Sequence, residues 1–405
     1  MVTSRSCAGF AVAALAVLVG CHLPARHAPQ EPHRATTSED GPTDVPPGVM
    51  LAAPAGALDG LRPPQHVVAL SSGGLYGAYS AGVLSGWTAA GGRPEFDVVT
   101  GTSTGALIAP FAFLGGDYDA QAMKLYTGVR TDDIFKVRAW VTIPFRDSLA
   151  TSAPLRRLIA AQITPELLQR IATEHKKGRR LYVGTTELRT KRAVIWDMGA
   201  IAALPRAEGG PLFRDVLLAS ASIPGVLPPM AFRLQVDGRP VTEWHVDGST
   251  TAPLFMPPGV FAAATARPDT DPMRATANFY AIVAGKVYPD EGPVRRRILP
   301  VLSTSTEAVL SAHCRAELAN TYWQSRLAGM RYHMIALRQD AVIHANTAVS
   351  FDRQVMTQLY VEGYRDGQAG PGWAYVPPAL SPCDGNFTRG GPRLRTVAPA
   401  AVPAP

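Results

Sequence analysis

The sequence is sparing with charge and with cysteine. Asp, Glu, Lys and Arg make up only 18% of its 405 residues, against 46% hydrophobic ones. That balance excludes disorder as the overall reading, because chains stay unfolded when hydrophobicity is low and net charge is high. There are four cysteines, Cys7, Cys21, Cys314 and Cys383. No Cys/His cluster has metal-ligand spacing, so no metal site is expected. The net charge of +7 is scattered, without the aromatic-interleaved basic stripe of a nucleic-acid surface, and nucleic acid is not an expected partner. No apolar run reaches the twenty or so residues needed to cross a bilayer. No internal repeat is visible, and no Lys-Ser or Lys-Thr closes the glycine run near residue 75, which excludes a P-loop.

What is present begins with an export signal: Arg5 in a short polar start, then Ala8 to Val19, nearly all small or apolar. It ends in Leu18-Val19-Gly20-Cys21, which resembles the lipobox of bacterial lipoproteins. That resemblance implies removal of residues 1–20 and lipidation of Cys21. It also implies an exported protein anchored on the periplasmic or outer-membrane side of a bacterial envelope, since several acyl chains hold a membrane stably where one does not. Residues 21–60 are rich in Pro, Ala and Gly and read as a flexible tether. One domain is expected over 61–375, followed by a disordered tail over 376–405. Processing leaves Cys314 and Cys383 as the remaining thiols. An exported compartment permits their pairing, and spacing alone does not decide it.

Within the domain, His66 to Leu70 reads as a strand, Tyr76 to Ala90 as a helix and Phe96 to Thr100 as a strand. The alternation resumes with a helix over Leu155 to Ala161, strands over Leu181 to Thr186 and Ala193 to Asp197, a helix over Phe213 to Ser220 and a strand over Glu243 to Val246. Strands alternating with helices predict a mostly parallel sheet covered on both faces. Thr304-Ser305-Thr306-Glu307 has the capping-box pattern ahead of a long helix to about Met330, and Phe351 to Gly363 reads as a closing helix.

Three segments carry chemistry. Gly101-Thr102-Ser103-Thr104-Gly105 lies between a predicted strand and the apolar run Ala106 to Leu114. This is G-x-S-x-G in the strand-turn-helix setting of a nucleophile elbow, with Ser103 at a helix N-terminus. Ser71-Ser72-Gly73-Gly74-Leu75-Tyr76-Gly77 follows a strand and opens a helix, and its glycines leave amides free to hold an oxyanion. The same segment is one residue from a dinucleotide-binding turn. The acid that follows, Asp97, precedes its strand instead of ending it, the wrong place for a ribose contact. Third, Asp247 ends a strand at Gly248, where it is held rigidly enough to take a proton from Ser103 directly. Read by itself, Asp247-Gly248 is equally an ordinary turn.

In order and spacing these segments resemble the patatin-like phospholipases: Leu70 to Ala78 with Ala81-Gly82-Val83-Leu84, then Gly101 to Gly105, then Asp247-Gly248-Ser249. Secondary matches are Ser152-Ala153-Pro154-Leu155 and Ala219 to Pro229. The resemblance covers about residues 65 to 365. It implies a three-layer α/β/α fold, a Ser103–Asp247 dyad, an oxyanion hole from the amides of Gly73, Gly74 and Leu75, and hydrolysis of acyl esters of membrane lipids without metal or cofactor. Gly77, Gly101, Gly105 and Gly248 would shape the elbow and loop. Two departures stand out. Tyr76 occupies a position usually Arg or Lys, with Ser72 where a third glycine is usual, and Ser249 replaces glycine or alanine.

Two other readings remain open. An α/β-hydrolase triad needs a histidine after the acid; His313, His333 and His344 follow, none in a loop of the expected kind, while His245 reads as a packed strand residue. A catalytically weak or inactive lipid-binding lipoprotein is the non-enzyme alternative. The clusters Lys176-Lys177-Gly178-Arg179-Arg180 and Arg295-Arg296-Arg297 read as solvated charge, with anionic headgroups as the alternative. Phe111 to Leu114 reads as core, and Trp140 to Phe145 as either core or part of an acyl pocket or lid.

Overall fold

The computed structural model describes residues 43–45 and 63–380, apart from 140, 143–145, 237–238, 269, 293–295, 344–348 and 370–371. The expected leader, Cys21, most of the tether, His344 and most of the expected tail, with Cys383, lie outside the described residues, and so does any pairing of Cys314; the first tail residues, 376–380, are described and form a 3-10 turn over Pro378–Leu380.

The strands are β1 (Thr43–Asp44), β2 (His66–Leu70), β3 (Val98–Thr102), β4 (Lys136–Val137), β5 (Ala150–Thr151), β6 (Arg180–Glu187), β7 (Arg192–Asp197), β8 (Met230–Val236), β9 (Arg239–Asp247), β10 (Asn278–Val283) and β11 (Arg331–Ala336). The α-helices are α1 (Gly77–Ala89), α2 (Thr104–Leu114), α3 (Asp119–Thr127), α4 (Thr131–Ile134), α5 (Ala153–Gln162), α6 (Pro165–Lys176), α7 (Met198–Ala202), α8 (Arg206–Ser220), α9 (Pro258–Thr265), α10 (Ile298–Leu327) and α11 (Arg353–Gln368). All strands but β4 and β5 join one sheet, in the order β1-β8-β9-β6-β3-β2-β10-β11 with β7 also on β6. From β6 through β3, β2 and β10 to β11 every pairing is parallel.

Residue alternation along the strands divides the core into two layers. Val68, Leu70, Val99, Val183, Tyr280 and Ile282 face one side, against α1, α2, α8 and α11. Val67, Ala69, Val98, Tyr182, Phe279 and Ala281 face the other, with Leu254 to Met256, Val260 of α9 and Leu318 of α10. The result is the expected three-layer α/β/α arrangement with a mostly parallel sheet.

Three local expectations are corrected. The long helix starts at Ile298, after the extended Arg297, so Thr304 is interior and forms no capping box. Pro300 sits in the first turn, where a missing N–H costs nothing, and this lets the helix begin seven residues early. Arg179 is not solvated: its guanidinium ion-pairs with Glu95 and Glu174, donates to the carbonyls of Phe96 and Phe113, and stacks over the Phe113 ring. Thr43 and Asp44, inside the expected tether, pair with Phe232 and Arg233 of β8. Thr43 Oγ1 donates to Asp215 at 2.7 Å and Val45 is buried, which fixes this short edge strand.

Helix α1 is buried along nearly its whole length because α11 lies directly on it. Gly82 and Gly86 of α1 face Gly363 and Gly367 of α11, and a β-carbon at any of the four would collide with a carbonyl of the opposite helix. Tyr79 of α1 adds a hydrogen bond to Asp366 of α11 at 2.9 Å. This small-residue seam predicts that Gly86→Ala destabilises the domain by about 2–3 kcal/mol, the cost of overpacking a close helix contact. Urea unfolding should show it as a lowered midpoint, while an alanine at Gly91, which has open space around it, should cost less despite its positive φ.

Candidate active site

Each β-strand has two edges, and β6 shares one between two partners. Strand β7 pairs with Tyr182 to Glu187 along one edge. On the other, β3 pairs in parallel with Arg180 to Gly184, and β9 pairs antiparallel with Thr185 to Glu187. Strands β3 and β9 therefore run head-on, and their C-terminal ends meet at the Gly184–Thr185 peptide. Ser103 follows β3 and Asp247 ends β9, so the sheet itself brings them together.

Ser103 Oγ donates to Asp247 Oδ2 at 2.5 Å, the short distance of a hydroxyl bonded to a carboxylate. Ser103 has φ 55° and ψ −122°, a left-handed conformation that a non-glycine residue adopts at a cost of about 1–3 kcal/mol. The surroundings over-determine it. The Ser103 amide donates to Ser220 Oγ at 3.0 Å, and Ser220 in turn donates to the Gly184 carbonyl at 2.7 Å. Gly105 lies so close to the Leu70 and Ser71 carbonyls that no β-carbon fits there. Gly101 meets the same limit against the Gly105 carbonyl.

Asp247 is 1% exposed. Its backbone N–H donates to Ser222 O at 2.9 Å, and its Oδ1 accepts the Ser249 amide at 2.8 Å. Because the backbone of Ser249 makes this bond, serine at this position leaves the carboxylate held. Burial pushes the Asp247 pKa up to about 6, although the Ser103 hydroxyl and the Ser249 donors pull it down. Gly248 lets the strand end approach β6, since a β-carbon there would strike Gly184 O.

The glycine loop is tied to β10. Ser71 N donates to Ile282 O at 3.0 Å, Ala284 N donates to Ser71 Oγ at 2.8 Å, and Gly73 packs on Ala284 with no room for a β-carbon. Gly74 is left-handed at φ 57°, and the chain then turns through a 3-10 segment, Gly74–Tyr76, into α1 at Gly77. Among the described residues the amides of Gly73 and Gly74 have no hydrogen-bond acceptor. The Leu75 side chain is buried in the core. Tyr76 packs its ring on Gly285, which docks the loop without a cation.

Ser103, Thr104 and Gly74 form part of the wall of a narrow cavity of about 50 Å³, whose other walls are apolar, among them Leu107, Leu125, Ile134, Leu155, Phe351 and Met356. Phe111 and Phe113 are core residues outside it. Trp140 and 143–145 lie outside the described residues.

His245 is fully buried. Trp196 Nε1 donates to Thr185 Oγ1, which is also hydrogen-bonded to His245 Nδ1 at 2.9 Å, and His245 Nε2 lies 3.3 Å from Glu243 Oε2. His313 pairs with Glu317, and His333 bonds to Asn278. Among the described residues no histidine bonds to Ser103 or Asp247. Asp97 accepts the Gln65 and His66 amides at 2.7 and 2.9 Å, a structural task. Among the described residues no cluster of His, Cys, Asp and Glu is arranged to hold a metal ion, and no helix is long and apolar enough to cross a membrane.

Residues 68–257, which contain the glycine loop, Ser103 and Asp247, match the family model described as patatin-like phospholipase. The chain carries a patatin-like phospholipase domain. No curated protein sequence matches the chain. Among solved structures it is similar to VipD from Legionella pneumophila, at 12% identity and a TM-score of 0.36, over 76% of this chain and 66% of that one. The chain thus spans just under two thirds of the length of VipD.

Ser220 of the patatin-like domain was not assigned a role from sequence. It lies in the Ala219 to Pro229 motif, but its hydrogen bond to the nucleophile-elbow amide spans 117 residues of chain, and no local pattern encodes such a contact.

The buried carboxylate has a thermodynamic signature. A pKa raised from 3.8 to about 6 means that ionising Asp247 in the folded state costs about 3 kcal/mol. The cost is absent below about pH 4, grows between pH 4 and 6, and is complete above pH 6. Asp247→Asn should therefore be little different in stability near pH 4 and more stable than wild type at pH 7–8. Thermal unfolding of both proteins across this range reads the difference, and parallel pH curves would contradict it.

Proposed function

We propose that the protein hydrolyses acyl esters of membrane lipids through a Ser103–Asp247 dyad. The observation that carries this reading is the 2.5 Å Ser103 Oγ–Asp247 Oδ2 hydrogen bond at the wall of an apolar cavity. Asp247 takes the hydroxyl proton while Ser103 Oγ attacks the ester carbonyl, giving a tetrahedral oxyanion. The unpartnered amides of Gly73 and Gly74, with that of Leu75 beside them, supply its donors. Collapse expels the alcohol, which leaves with the proton from Asp247. Water then attacks the acyl-enzyme with Asp247 again as base, releasing the fatty acid. The acyl chain enters the apolar cavity beside Ser103.

Two consequences follow from this chemistry. Replacing Ser103 by Ala or Asp247 by Asn should lower kcat/KM for a short-chain p-nitrophenyl ester and for phosphatidylcholine micelles by about 10³-fold or more. Because the base must be ionised, kcat/KM should rise with pH through about 6 and level off above it. A fluorophosphonate probe should label wild type and not Ser103→Ala. Well-folded wild type that neither reacts with the probe nor turns over ester would favour the lipid-binding reading instead.

We also propose that the domain, taken as residues 61–375, is exported and anchored through a lipidated Cys21. Support comes from the Leu18-Val19-Gly20-Cys21 sequence. Cys21→Ser should shift the protein from the detergent phase to the aqueous phase in a Triton X-114 partition. Unchanged partitioning would count against the anchor.

A further inference from the structure

Helix α10 has 30 residues, about 45 Å of helix, and its two halves live in different surroundings. The C-terminal half lays one stripe on the body: Leu318, Thr321, Ser325 and Ala328, the cap residue just beyond it, are all buried. The N-terminal half is mostly exposed, with Pro300 and Leu302 half-buried. Ile298 is 51% exposed, Val301 45% and Val309 67%, and Ser303 through Leu310 are exposed without interruption.

Such a segment is poorly suited to water. Between Ile298 and Ala312 the only charged residue is Glu307. A helix that stands in solvent is ordinarily polar around its circumference or laced with charge pairs. Ser303-Thr304-Ser305-Thr306 adds little intrinsic helix stability, and short unpacked helices are marginal in water. The apolar tip, Ile298 and Val301, is immediately preceded by exposed Arg296 and Arg297. An apolar tip with arginines at its edge and hydroxyl residues behind it matches the layering of a bilayer surface: acyl chains, anionic headgroups, water.

Position relates this helix to the site. The loop between β10 and α10 starts at Ala284 and Gly285, the residues on which Gly73 and Tyr76 pack. Tyr76 also feels the carboxylates of Asp290 and Glu307, which puts the middle of α10 within electrostatic reach of the glycine loop.

We propose that the N-terminal tip of α10, formed by Arg296, Arg297, Ile298 and Val301, is the surface by which the domain docks on an anionic lipid bilayer beside its active site. The choice of lipid over a protein partner rests on the reading of that site as a lipid acyl hydrolase and on the charge at the tip. Docking there sets the glycine loop against the membrane, so that an ester reaches Ser103 without full exposure to water.

The test uses the full chain with Cys21→Ser, so that no acyl anchor contributes. Its flotation with phosphatidylcholine vesicles is compared with and without phosphatidylglycerol. Two variants are set beside it, Arg296→Glu/Arg297→Glu and Ile298→Asp/Val301→Asp, both at exposed positions. The reference protein should float with phosphatidylglycerol vesicles, less so at high salt, and each variant should bind about tenfold more weakly. Hydrolysis of a short soluble ester should be equal in all three. The proposal is overturned if the reference does not bind phosphatidylglycerol vesicles, or if the variants bind as well as it does. It is also overturned if the variants only convert a dimer to a monomer in sedimentation. Variant-sensitive vesicle binding with no ester hydrolysis by any form would uphold the docking surface while sinking the hydrolase reading.

Discussion

The head-on meeting of β3 and β9 on one edge of β6 is the constraint on which the site depends. A loop-borne pair of side chains would need its own ordering at an entropic cost. Here the ladder bonds of β6 fix the backbone on both sides of the gap, and the rotamers of Ser103 and Asp247 need only span what is left. Register enforces this closely. A slip of one residue in either strand would send the side chain to the opposite face of the sheet, and Gly184, Gly248 and Ser220 fill the junction so tightly that a slip has nowhere to go.

Two unfavourable elements are built into that junction: a left-handed Ser103 and a carboxylate buried to 1% exposure. Both persist because their neighbours are already committed. The end of α8 holds each of them, Ser220 through the Ser103 amide and Ser222 through the Asp247 amide. Under the proposed mechanism, burial has a chemical use as well as a cost. A carboxylate at its ordinary pKa is a weak base toward a serine hydroxyl, and raising it to about 6 strengthens it while leaving it ionised at neutral pH. With no histidine among the described residues bonded to either partner, the proposed mechanism asks the aspartate environment to do what an imidazole would otherwise do.

Much of this was legible in the sequence, and the boundary is physical. The elbow, the glycine loop and the Asp247-Gly248 turn depend on short-range backbone requirements, so glycines at fixed offsets reveal them. Strands β2, β3, β6 and β7 show as apolar runs, while β8, β10 and β11 were not recognised. Arg179 looked solvated because its partners Glu95, Phe96 and Phe113 are far away in sequence. The α10 start was misplaced because a capping-box pattern and a first-turn proline competed, and the proline position won. Gly82, Gly86, Gly363 and Gly367 were visible as letters, but their pairing across some 280 residues needs the fold.

The family match stops at residue 257, yet the site does not. Strand β10 lies next to β2 and receives the Ser71 amide at Ile282. Ala284 then donates to Ser71 Oγ and forms the floor under Gly73. Without β10 the glycine loop would lose its floor and two of its hydrogen bonds, and β2 would become an exposed edge. Helix α1, which the loop opens, is in turn held by α11 through the glycine seam. The segment 258–368 therefore belongs to the same folding unit as Ser103 and Asp247: it holds the glycine loop in place from β10, while the matched segment supplies the loop, Ser103 and Asp247 themselves.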